Sequence, residues 1–117
     1  MILNSSLNKK TTYLTEENIV GTWIDGKPLY RRVFTGTVGV DNVIGTISNI
    51  ATVTNLHGMI NYNNTWCTIP TNNGDSDAIV IIFVNTAGGV QLYCKTTSSA
   101  YYNHPCNVTV EYTKTTD

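Results

Sequence analysis

The side chains equipped for chemistry are few: two histidines, three cysteines and eight carboxylates among 117 residues. Hydrolysis needs a nucleophile, a base and an orienting group, or two carboxylates held in unlike environments. His57 stands before Gly58 in a stretch expected to turn, and His104 lies in a tyrosine-rich loop beside Pro105. Neither belongs to a recognisable catalytic motif. Both are expected to be loop histidines without proton-transfer duty, and no catalytic residue is assigned. Asp75 and Asp77, in Asn72-Asn73-Gly74-Asp75-Ser76-Asp77, have the oxygen-rich make-up of a calcium loop but lack the spacing and terminal Glu of an EF-hand. Local hydrogen bonding in a turn accounts for them. Cys67, Cys94 and Cys106 form no CxxC pair and no metal-ligand spacing. They read as small buried hydrophobes, with a Cys94–Cys106 bridge left open. No metal or cofactor is expected.

One opening for binding chemistry comes from the aromatic residues. Trp66, Tyr101, Tyr102 and His104 fall near expected loops, among asparagines and aspartates. Exposed rings beside amides are what sugar sites use: the ring face stacks on the apolar face of the pyranose while amides bond its hydroxyls. These four residues are therefore the candidate glycan contacts. Against this, Tyr101 and Tyr102 could simply cover the end of the domain, and Trp23, Tyr30 and Phe34 fall within expected strands and suit a core.

The elements that position these residues must be strands. Thr and Asn together exceed a quarter of the chain, while the best helix formers are scarce. The length suits one domain with a modest core. Charged residues make up only 13% and the net charge is −1, so there is no electrostatic footprint for nucleic acid or an anionic membrane. The longest apolar run, residues 78–84, is far too short for a bilayer span and reads as a buried strand. The N-terminus lacks the charged start and apolar stretch of a signal peptide.

Residues 1–12 are polar and aperiodic and are expected to form a flexible arm, with residues 13–117 forming the domain. Thr15-Glu16-Glu17-Asn18 offers the start of one helical turn. Residues 20–24 and 29–38 read as a hairpin with a type I′ turn at Asp25-Gly26. Residues 41–56 read as short strands broken near Ser48-Asn49, and residues 58–62 and 66–70 as a pair joined by Asn63-Asn64. Residues 78–85 and 90–96 flank a tight turn at Ala87-Gly88-Gly89. Val90, Leu92 and Cys94 share one face. In the last strand Val108, Val110 and Tyr112 point inward, with Thr109, Glu111 and Thr113 outward. The expected fold is a single antiparallel β-sandwich, jelly-roll-like, with little helix.

The stretch Gly21-Thr22-Trp23-Ile24-Asp25-Gly26-Lys27-Pro28-Leu29-Tyr30-Arg31-Arg32-Val33-Phe34-Thr35-Gly36-Thr37 closely resembles an element near the C-terminus of many tailed-bacteriophage head-fibre, tail-fibre and minor structural proteins. Val108-Thr109-Val110-Glu111-Tyr112-Thr113-Lys114-Thr115-Thr116-Asp117 resembles the closing strand of that module. The resemblance implies a non-enzymatic virion structural protein, a head fibre, capsid decoration or tail-fibre component. Such a protein is made in the bacterial host cytoplasm and exposed on the particle surface. It further implies a homotrimer that contacts other virion proteins, for which residues 1–12 are the evident grip. Low charge and a limited core give a physical reason for self-association, with residues 78–84 and the Tyr30/Phe34 face as the suspected seam. The alternative is a carbohydrate-binding or host-receptor-binding module.

Overall fold

The computed structural model describes residues 12–69, 80–94 and 100–117. The N-terminal arm to residue 11, the Asp75/Asp77 turn, the start of the 78–85 run and the end of the 90–96 run lie outside the described residues. Among the described residues there are eight strands: β1 (Asn18–Thr22), β2 (Pro28–Thr37), β3 (Asp41–Thr46), β4 (Ile50–Tyr62), β5 (Thr65–Ile69), β6 (Val80–Val84), β7 (Gly89–Cys94) and β8 (Pro105–Lys114). They build two antiparallel sheets, β1-β2-β8-β4-β5 and β3-β7-β6, and the described residues contain no α-helix. This is the all-β sandwich that composition and alternation predict.

Three hairpins set the registers, and their chemistry differs from expectation in one case. At the β1–β2 turn, the Gly26 amide donates to the Trp23 carbonyl and the Trp23 amide to that of Lys27, both at 2.9 Å. Only Gly26 has positive φ (87°). The loop is thus Ile24-Asp25-Gly26 with glycine in the left-handed position, not a two-residue I′ turn, and the Asp25 carboxylate accepts the Lys27 amide. The β6–β7 turn repeats this pattern. The Gly88 amide donates to the Asn85 carbonyl, the Asn85 amide to that of Gly89, and Gly88 has φ 82°. The I′-like geometry falls instead at Asn63-Asn64, with φ 51° and 66°, between β4 and β5. Asparagine tolerates that region because its short amide can bond locally.

Residues 15–18 do not form a helical turn. The Leu14 carbonyl accepts the Val33 amide and the Thr15 carbonyl accepts Arg32 Nε, so the segment bends while held against β2. His57 is not in a turn but on β4, opposite Thr109. That region carries one long strand, β4, running unbroken from the turn at Ser48-Asn49 (Asn49 φ 62°) to Asn63.

The core lies between the sheets. Phe34, Ile60, Leu92, Val108, Val110 and Tyr112 are all buried within it. Phe34 seats in the space a side chain on Gly45 would take, and Ile44 in that over Gly36. Burying a side chain such as Phe34 contributes about 1.5–3 kcal/mol. The Tyr30/Phe34 face is thereby claimed by this core: Phe34 is buried and Tyr30 stacks on Tyr112 at 5.8 Å.

Two burial expectations fail for the same topological reason, the place of a strand in its sheet. β8 enters the middle of the five-stranded sheet, so outward-facing Thr109 is shielded by cross-strand neighbours Val33 and His57, and Thr113 is also buried. β6 is an edge strand of the small sheet, so its apolar run is covered on one face only. Val80 is fully buried but Ile81 is exposed. All three cysteines are free thiols, with Cys94 and Cys106 buried in different sheets, so the open Cys94–Cys106 bridge is not formed.

Candidate functional site

The four residues singled out as glycan contacts do not converge. Trp66 is 55% exposed and sits on strand β5 rather than in a loop. It pairs directly with Asn61, and Asn61 lies on the outer face of the sheet because Ile60 points into the core. Tyr101 is buried under Tyr62, with ring centroids 4.9 Å apart, and has no free face to offer a sugar. The Tyr102 ring is half-buried, and burial raises its hydroxyl pKa above the usual value. His104 packs at a tilt against Tyr62, with ring centroids 4.8 Å apart. Tyr62 and Tyr101 thus buttress His104, while Trp66 stands on the opposite side of the sheet edge.

A cleft of about 310 Å³ opens at this end of the sheet, lined by Asn61, Asn63, Asn64, His104 and Pro105. Its walls are rigid for local reasons. Asn63 and Asn64 are the paired left-handed residues of the β4–β5 turn. The 101–104 loop is tied to Val38 by two backbone bonds, Asn103 amide to Val38 carbonyl and Val38 amide to His104 carbonyl. Registers place Thr37 beside Pro105 and Asn61 beside Trp66, with Ile60 opposite Cys106 one step earlier. Pro105, Asn61 and Trp66 therefore form one cross-strand row on the outer face. The three asparagines of the cleft were not singled out in the sequence. Asn63-Asn64 signalled a turn, and only the register shows that this turn adjoins Trp66.

A second cleft, of about 330 Å³, opens at the other end, between residues 47–53 of the β3–β4 region and the β6–β7 turn. One of its two asparagine side chains is already engaged. Asn85 accepts the Ala87 and Gly89 amides and donates to Gln91.

A third polar group joins the chain's ends and holds the fold. The Tyr112 hydroxyl donates to Glu17 at 2.6 Å, and Lys114 Nζ lies 2.9 Å from the same carboxylate. Burial opposes ionisation of Glu17, but these two partners override it and hold its pKa below 4.5. Burial, and then donation to Glu17, push the Tyr112 hydroxyl upward. Tyr30 donates to Asp117 at 2.7 Å, which with burial moves its pKa from 10.0 to about 12. Nearby, Arg31 lies 3.7 Å from Glu111 and under the Tyr13 ring.

No group of His, Cys, Asp or Glu among the described residues is arranged to hold a metal ion. Fold and clefts together define a two-sheet β-sandwich with an amide-lined cleft and an exposed indole at one end. No family model, curated protein or solved structure matches the chain.

Proposed function

We propose that the chain is a non-enzymatic structural module of a tailed-phage particle, exposed on the virion surface as a head-fibre, capsid-decoration or tail-fibre component. The observation that carries this reading is the meeting of the two segments that resemble such modules. Residues 21–37 and 108–117 are far apart in sequence, yet β2 and β8 are neighbours along eight paired positions, and five of these, from Tyr30↔Tyr112 to Phe34↔Val108, join the two segments. Side chains of the first segment bond the second. Lys27 donates to the Lys114 carbonyl, Tyr30 to Asp117, and the Tyr30 and Tyr112 rings stack. A sequence signature split between two ends is expected when both halves build one structural unit.

In this reading the chain associates as a homotrimer and grips other virion proteins through residues 1–12. The seam falls on the outer face of the small sheet, where Val43 (52% exposed), Ile81 and Tyr93 leave apolar surface uncovered. Antibody labelling of purified virions tests the proposal. Signal on intact particles is expected, and its absence from particles of the phage encoding the chain overturns it.

A further inference from the structure

We propose that the Trp66 end of the five-stranded sheet is a binding site for a neutral oligosaccharide. Trp66 is one of the most exposed large apolar side chains of the fold, 55% open, and neither the core nor a neighbouring ring takes it up. An indole left in water on a strand costs free energy that a stacked pyranose would recover, because the carbon-bound hydrogens of a sugar face meet the electron-rich ring. Beside it stand the groups that bond hydroxyls. Asn61 is its direct cross-strand partner, and Asn61, Asn63, Asn64 and His104 line the adjoining cleft.

Each asparagine supplies both a donor and an acceptor, which matches the mixed donor and acceptor character of a hydroxyl pair. Among the described residues these three amides have no hydrogen-bond partner within the chain, in contrast to Asn85 and its turn. Their positions are held by the left-handed Asn63-Asn64 turn and the pinned 101–104 loop, so little order must be gained on binding.

Among the described residues the lining contains no lysine, arginine or carboxylate. Neutral hexose or N-acetylhexosamine chains therefore fit it better than uronic or sialic acids, which call for a cation. The row from Pro105 across Asn61 to Trp66 spans two strand spacings, about 10 Å, the reach of a short oligosaccharide rather than a single ring. The site is open, so one copy binds weakly, and several copies on one particle would gain avidity.

The test is a nitrogen-15 NMR titration of the full chain with cellohexaose, maltohexaose, chitohexaose and mannohexaose, and with oligogalacturonate as the acidic comparison. Support requires that at least one neutral probe shifts the Trp66 indole N–H and the Asn61 side-chain amide while leaving the Trp23 indole in place. Trp66→Ala should then weaken binding roughly tenfold or more, and Asn61→Ala by a smaller factor. Trp66→Thr, which suits an edge strand, repeats the test should the alanine variant lose its dispersed spectrum. The proposal is overturned if no neutral probe moves the Trp66 signal, if only oligogalacturonate does, or if binding survives in the folded Trp66 variant. It stands apart from the particle reading, since virion labelling can fail while these shifts persist, and the reverse.

Discussion

Glu17 illustrates how single residues close this fold. Its carboxylate accepts from Tyr112 and pairs with Lys114, tying the segment before β1 to the end of β8. Its folded pKa lies below 4.5, so the stability it contributes is present above that value and is lost as pH falls through the folded pKa. Glu17→Gln should lower the urea midpoint at neutral pH by an amount equivalent to about 1 kcal/mol, with variant and parent converging in acid. Tyr30 acts at the other end of the scale with the opposite sign. Its raised pKa means that its contribution is intact below 10.0 and is lost as pH rises towards about 12. Ultraviolet titration of Asp117→Asn should show Tyr30 ionising at lower pH than in the parent. Thiol labelling provides a third check. Burial pushes the Cys106 thiol up to about 11 and that of Cys94 upward, so neither should react until the protein unfolds, whereas the only partly buried Cys67 should label faster in the native state.

Among the elements, the β6–β7 hairpin is the one least able to accept change. Gly88 has φ 82°, and a Cβ there would fall on the Ile47 carbonyl oxygen. Strain in the left-handed region and the collision add, while the Ile47 amide also donates to the Gly88 carbonyl. Gly88→Ala should destabilise by about 2–4 kcal/mol in denaturant unfolding. Gly26→Ala has the same dihedral problem (φ 87°) but open space around it, so a smaller loss, about 1 kcal/mol, is expected. Strand existence and facing were legible here because alternation is local. Val90, Leu92 and Cys94 do share the buried face. Turn type was less legible: Asp-Gly suits both a two-residue and a three-residue hairpin, and the register of the flanking strands chooses between them.

For the whole molecule, the open question is what covers the outer face of the small sheet. Val43 and Phe83 flank Gln91 across the strands and Ile81 pairs with Tyr93, leaving an apolar surface between charges that are sparse everywhere. Under the homotrimer proposal, light scattering at micromolar concentration should report three 12.9 kDa chains. Ile81→Lys should reduce the mass to that of one chain without altering a circular dichroism spectrum dominated by strand. A parent that scatters as a single chain at all concentrations refutes the stable trimer in solution.

What composition and alternation determined by themselves was the all-β class, most strand positions, the break at Ser48-Asn49 and the inward faces of β7 and β8. Each depends on near neighbours in the chain, through β-propensity, turn residues and the period of two. Only the tertiary structure decided that β8 takes the centre of its sheet and β6 an edge, and this settles why Thr109 is buried while Ile81 is not. It also separated the aromatic candidates, sending Tyr101 into the core and leaving Trp66 in solvent beside Asn61. Strand order and sheet pairing join residues dozens of positions apart, and the energy that selects them comes from packing across the whole sandwich rather than from any local pattern.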